Sequence, residues 1–251
     1  MSTLLTPARL HPAGVRWCQT TRRTPGRSVG AYAGCNLAGH VGEDPAVTAA
    51  NWASLARVFT FSREHVATAR QVHGTSIHVA ARGGHADLEA DAVVSATPGL
   101  SVGVFTADCV PVLLAAPRRG VVAAVHAGWA GAAGRIVSAT VELLATRFGV
   151  SPADDLYAWL GAHIAQCSYE VGAEVALRFA GRRYEGNERG RFQLDVGGAV
   201  CDELLACGLS PKRLERCGLD TYVESELLYS YRRDGSPTGR MLAAVGLFPE
   251  T

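Results

Sequence analysis

The chain has 251 residues, 48% of them hydrophobic and 19% charged, which excludes an intrinsically disordered protein and fits one large domain. Its 24 Lys and Arg against 23 Asp and Glu leave a net charge of +1, so no bulk basic field exists to collect nucleic acid or an anionic membrane surface. The N-terminal run MSTLLTPARLHPAGVRW lacks the apolar centre of a secretory signal, and no stretch approaches the ~18 apolar residues of a membrane helix, so the expectation is a cytoplasmic protein.

Residues 1–19 are expected to form an N-terminal extension with a first strand, and residues 20–251 a single domain, since no repeat, low-complexity block or linker divides the chain. Residues 20–36 are rich in Gly, Arg and Thr without apolar periodicity, the mark of a surface loop of the kind that reaches ligands. Over 45–59, Val47, Leu55, Val58 and Phe59 fall near helical spacing, with Asp44 placed as N-cap and Pro45 at the first helical position.

The runs 100–106, 110–115 and 121–125 are short, apolar and separated by Pro and Gly, and read as buried strands. After Gly134, the spacing of Ile136, Val137, Thr140, Val141, Leu144 and Phe148 predicts an amphipathic helix ending near Gly149. A strand over 156–160, helices over 170–179 and 198–206, and strands over 227–231 and 241–248 complete the reading. Strands and helices mix without strict alternation, which favours an α+β fold with mixed sheets over a doubly wound one. The chain also lacks a GxGxxG turn after a strand and a Walker A loop. Seven scattered cysteines without a CxxC pair read as mostly reduced, buried, small hydrophobes.

Three polar interruptions stand at the edges of apolar segments: Gln71-Val72-His73-Gly74, Thr106-Ala107-Asp108-Cys109 and His126-Ala127-Gly128-Trp129. His73, Cys109 and His126 make a three-ligand set, the number a catalytic zinc site uses while keeping its fourth position open. Small neighbours (Gly74, Ala107, Ala127, Gly128) leave room for a close approach. Asp108 is placed to orient a histidine or bind a substrate hydroxyl, or simply to make a turn. The same trio permits a metal-free alternative, with Cys109 as nucleophile and His73 or His126 as its base. Both need a lowered Cys109 pKa.

Residues 90–131, ADAVVSATPGLSVGVFTADCVPVLLAAPRRGVVAAVHAGWAG, preceded by QVHG and followed by GAHIAQCSYEVG, resemble the laccase-domain or YfiH-like family, also called multicopper polyphenol oxidoreductases. Thr20-Thr21-Arg22, Tyr32, Asn36-Leu37, residues 40–45 and Asn51 match its N-terminal pattern, and residues 229–235 with Thr238-Gly239-Arg240 its C-terminal one. The resemblance implies a single-domain α/β/β/α layered fold. It also implies a zinc enzyme of purine nucleoside metabolism, acting by phosphorolysis of adenosine, inosine, guanosine or methylthioadenosine, by adenosine deamination, or both. His73, Cys109 and His126 are then the metal ligands, with Asp108 beside them in the catalytic set.

By the same resemblance, Arg22, Arg232, Arg233 and Arg240 are candidates to hold phosphate, and Asn36, His40 and Gln71 to touch substrate. A copper-dependent polyphenol oxidase and a Cys-His hydrolase of peptidoglycan precursors are the alternatives. The chain departs from the family pattern at Ala130, where Arg usually follows His-Ala-Gly-Trp, which implies weakened or lost phosphorolysis. It departs also at Cys167-Ser168 and Asp220-Thr221, where the family has paired cysteines and Cys-Thr.

Overall fold

The computed structural model describes residues 3–58, 61–179 and 183–248; Phe59, expected on the first helix, lies outside them. Strands β1 (Leu4–Leu5), β2 (Val15–Thr20) and helix α1 (Pro45–Val58) are followed by β3 (Val66–Arg70), β4 (Ile77–Val79), β5 (Gly84–Glu89) and β6 (Ala92–Ser95). The centre holds β7 (Ser101–Thr106), β8 (Val110–Ala116), β9 (Val121–Ala127), α2 (Trp129–Ala133), α3 (Ile136–Phe148) and β10 (Tyr157–Leu160). The last third contains β11 (Glu170–Val171), α4 (Ala173–Ala176), β12 (Tyr184–Gly186), β13 (Phe192–Leu194), α5 (Val196–Ala206), β14 (Leu214–Arg216), α6 (Tyr231–Asp234) and β15 (Met241–Leu247).

Two six-stranded mixed sheets result, ordered β1-β2-β15-β7-β3-β5 and β14-β10-β8-β9-β6-β4, with a small third sheet β11-β13-β12. Side chains alternate across a strand, and β8 shows what this demands: Leu113 and Ala115 face the other sheet, while Val112 and Leu114 face the helices. A strand covered on both sides reads as an unbroken apolar run, which is why 110–115 is so visible in the sequence. Between the sheets Val102, Val104 and Val245 of the first meet Leu113, Val122 and Trp159 of the second. Ile136, Val141 and Leu144 of α3 and Val200 and Leu204 of α5 cover the outer face of the second sheet. Trp52 and Leu55 of α1 cover that of the first. The order α1, sheet, sheet, α3 with α5 is the α/β/β/α layering.

The helix ends follow local chemistry. Asp44 Oδ1 accepts from the Ala46 N–H at 2.8 Å where α1 begins, and Gly149 closes α3 with φ +65°. Two expectations fail. The helix over 170–179 is instead β11 and the single turn α4, because the chain pairs with β13 before Gly172 turns it. The strand over 227–231 is a buried turn: Leu228 and Tyr229 are apolar and enclosed, but Ser230 caps α6 through the Arg233 N–H at 3.2 Å.

Candidate active site

The chain crosses from the first sheet to the second between β7 and β8, and the crossing carries Asp108 at φ +98° with Cys109 beside it. His73 sits at φ +60° in the turn after β3, and His126 lies near the end of β9, opposite Pro111. Non-glycine residues at positive φ are uncommon and cost energy unless the surroundings hold them. Here the holding group is Asp91, immediately before β6. Its Oδ1 accepts from the His73 N–H at 2.9 Å and lies 2.8 Å from His126 Nδ1. Its Oδ2 accepts from the Gly74 N–H at 2.7 Å and the Val72 N–H at 3.1 Å.

The ligand atoms of His73, Cys109 and His126 all lie within 4.8 Å of one another, and the trio is graded from exposed His73 through Cys109 to buried His126. The imidazoles of His73 and His126 meet edge to face with centroids 4.9 Å apart. With Nδ1 of His126 on Asp91, Nε2 is left for the centre of the cluster, the arrangement that metal-ligating histidines use. Gly128 explains the demand for small neighbours: a Cβ there would stand 2.9 Å from His73 Cδ2 and 3.1 Å from Cys109 Sγ.

Burial opposes ionisation of the Cys109 thiol, but the His126 charge and hydrogen bonds from His126 and His73 outweigh it and pull its pKa down to about 6. Burial likewise works against a charged His126, yet Cys109 and Asp91 push it up to about 9. Burial raises the Tyr169 phenol to about 12, so it stays protonated and can donate.

The cluster opens into a cavity of about 550 Å³ lined by His40, Gln71, His73, Asp108, Cys109 and His126 on its polar side. Phe105, Trp129, Tyr169 and Tyr231 form its aromatic walls, and Arg232 and Arg240 complete it. Arg240 lies over the Tyr231 ring at 5.7 Å and Arg232 over Tyr169 at 4.8 Å. Among the described residues neither arginine has a carboxylate within 4.0 Å: Arg232 Nη1 donates to the Glu170 carbonyl at 2.6 Å and Arg240 Nη1 to those of Thr238 and Gly239 at 2.9 and 3.0 Å, which fixes both guanidinium groups at the edge of the space beside the trio.

Several anticipated residues sit elsewhere or work differently. Arg22, Asn36 and Arg233 do not line this cavity. Arg22 donates to the carbonyls of Ala33 at 3.2 Å and Ser225 at 3.3 Å. Arg233 holds the carbonyls of Thr221, Tyr222 and Leu228 at 2.8–3.0 Å. Asn36 is buried and its Oδ1 accepts from the Arg240 N–H at 2.9 Å, so it positions Arg240 from behind.

Gln71 lines the cavity but spends its amide on the Phe105 N–H and C=O, both at 2.8 Å. Asp108 does not orient a histidine: its carboxylate accepts from Thr221 Oγ1 and from the Arg232 N–H, both at 2.6 Å, fastening α6 to the cluster. Two of the three departures from the family pattern touch each other, since Ser168 Oγ donates to Asp220 Oδ2 at 2.6 Å.

Asp91 is the residue that motif reading missed. Its signal, an acid immediately before the apolar run Ala92-Val93-Val94, is that of any strand-start turn.

A layered sandwich with a Cys/His/His cluster at the seam between its sheets defines a laccase-like metal-site class. The family described as multi-copper polyphenol oxidoreductase laccase matches residues 16–248, and the chain belongs to it. A Deinococcus radiodurans protein named purine nucleoside phosphorylase is 42% identical over 232 residues, covering 90% of this chain and 87% of its own length. A Pseudomonas aeruginosa protein named purine nucleoside phosphorylase PA4543 is 36% identical over 254 residues, covering 98% of this chain and 99% of its own.

The crystal structure of YlmD from Geobacillus stearothermophilus matches with a TM-score of 0.88 at 30% identity, covering 98% of this chain and 99% of that one. That of YfiH from Bacillus licheniformis gives 0.87 at 26% identity, covering 93% and 92%. No helix among the described residues is long and apolar enough to cross a membrane.

Proposed function

We propose that the protein is a zinc-dependent purine nucleoside enzyme, acting by phosphorolysis with adenosine deamination as a second output. The observation that carries this reading is the placement of two arginines without a carboxylate partner among the described residues, Arg232 and Arg240, in one aromatic-walled cavity with a three-ligand cluster. The donor set suits zinc: two imidazoles and a thiol already inclined to ionise, with a carboxylate behind one imidazole. His73, Cys109 and His126 would hold it, and zinc bound there supplies Lewis acidity to the reacting group.

The protein's own groups supply the rest. Trp129, Tyr169 and Phe105 offer flat apolar surface for a purine. In phosphorolysis a phosphate oxygen bonds to the ribose C1′ as the C1′–N bond breaks and its electron pair leaves with the base. Arg232 and Arg240 hold the phosphate dianion against that centre. Burial and Arg240 push the His40 pKa down, so His40 stays neutral and can accept or donate a single hydrogen bond. Ala130 withholds a cation after Trp129, but Arg178 lies over the Trp129 ring at 6.0 Å and returns positive charge to that wall.

The test is chromatography of adenosine incubated with zinc-loaded protein, with and without phosphate, beside Cys109→Ala. Adenine formed only with phosphate establishes phosphorolysis, and inosine alone leaves a deaminase. A fully active Cys109→Ala variant sinks the metalloenzyme reading.

One observation favours a second reading, a Cys-His hydrolase: Cys109, His126 and Asp91 are linked in the order of a nucleophile, its base and the base's orienting carboxylate. Chelation would then leave activity intact while thiol alkylation abolishes it. For a copper oxidase, a multicopper centre needs several ligand clusters, and among the described residues one three-ligand group is present. That activity would show as O₂ consumption lost in the His73→Ala/His126→Ala variant.

A further inference from the structure

A second cavity, of about 380 Å³, shares His40 and Phe105 with the catalytic one. The two rings meet edge to face with centroids 6.0 Å apart and form a wall common to both spaces. Its floor is buried and apolar, made by Leu37, Trp52 and Val66. The Trp52 indole N–H is spent on the Leu37 carbonyl at 3.0 Å, so the ring offers the cavity only its apolar surface.

The rim has a different character. Arg63, His40 and His85 are exposed there, and no carboxylate of the described residues lines the cavity. Arg63 has no ion-pair partner within 4.0 Å among the described residues; Glu64 and Asp87, the nearby acids, lie outside the lining. Thr68 Oγ1 stands 3.1 Å from His85 Nδ1. With that hydroxyl donating, the ring proton sits on Nε2 and His85 presents a second donor beside the guanidinium.

We propose that this cavity is a binding site for a small organic anion with a flat apolar body, an aromatic carboxylate or phenolate, its ring on the Trp52 and Phe105 surfaces and its charge at Arg63. A bare inorganic anion would gain nothing from the buried floor, and a neutral aromatic would leave the Arg63 guanidinium unanswered. The volume stands at the lower end of the roughly 300–1,000 Å³ of small-molecule sites, which fits a single ring and excludes a whole nucleotide. Because His40 and Phe105 face both cavities, an occupant here borders the nucleoside space without entering it. The inference does not depend on the catalytic reading, and its test reads binding alone.

Benzoate is titrated into the protein by calorimetry, with benzamide as its neutral counterpart. Saturable benzoate binding is expected, with benzamide about fivefold weaker and Arg63→Ala losing about the same factor, as a charge at an exposed rim contributes. Gly39 lines the cavity and a Cβ there meets nothing within 4 Å, so Gly39→Leu should fill the space from the surface and abolish binding. Arg232→Ala should leave benzoate binding unchanged. Equal binding of benzamide, absence of saturation, or loss in Arg232→Ala with retention in Arg63→Ala would overturn the proposal.

Discussion

The four donors on Asp91 show how much one buried side chain can organise. Burial raises its pKa, but hydrogen bonds from His126 and the turn amides outweigh it and hold the carboxyl below its ordinary range. Asparagine in its place would turn an amide N–H toward backbone N–H groups and lose both acceptor positions on one side. On the zinc reading proposed above, Asp91→Asn is therefore expected to weaken the binding of added zinc by about 10–100-fold, read by competition with a chromophoric chelator; unchanged affinity would leave Asp91 a turn residue only.

Cys109 gives a second prediction at this scale. With its thiol pKa at about 6, alkylation of metal-free protein should rise through pH 6 and level off above it, two to three pH units below an ordinary thiol. Cys18 and Cys35, whose thiols burial pushes far up, should stay unlabelled in the same mass-spectrometric experiment. Motif and residue type made the trio legible in the sequence. Asp91 was not legible, because no spacing links position 91 to 73 or 126; only the pairing of β6 with β9 brings them together.

At the level of elements, strands covered on both faces announce themselves as apolar runs, and the amphipathic α3 as a 3.6-residue period. Segment 227–231 was misread because enclosure alone mimics a strand. What decides its shape is Arg233, whose guanidinium gathers three carbonyls that no strand partner satisfies. Lysine's three donors radiate from a single nitrogen and cannot reproduce that planar fork. In Arg233→Lys, α6 should loosen and Arg232 with it. On the phosphorolytic reading proposed above, the expected result is a KM for phosphate raised about five- to tenfold, corresponding to one or two lost hydrogen bonds, with an unaltered circular dichroism spectrum. An unchanged KM would separate α6 from phosphate binding.

Across the whole molecule, the two sheets share one interior, and Trp159 lies in it fully buried with an indole N–H that has no hydrogen-bond partner among the described residues. Removing the side chain as Trp159→Ala should cost about 3–5 kcal/mol in urea denaturation. Trp159→Phe keeps the ring and removes the unpaired donor, whose burial costs about 1–3 kcal/mol, so its penalty should be less than half of that. Equal penalties would mean that the N–H is satisfied in solution.

The N-terminal segment ties the two sheets from outside. Its β1 pairs with β2 in the first sheet, while Glu215 on β14, an end strand of the second, accepts from the Arg9 and Leu10 N–H groups at 2.9 and 3.0 Å. An uncovered end strand is a template for pairing with another chain, and β5, at the end of the first sheet, guards itself with Asp87 and Glu89. The β14 end depends instead on the segment held against it. Removing residues 1–10 should therefore show itself less in catalysis than in colloidal behaviour, as light scattering that grows with concentration on mild warming. Since the truncation also removes β1 from β2, a truncated protein that stays clear and monomeric would show that neither β14 nor β2 needs such cover.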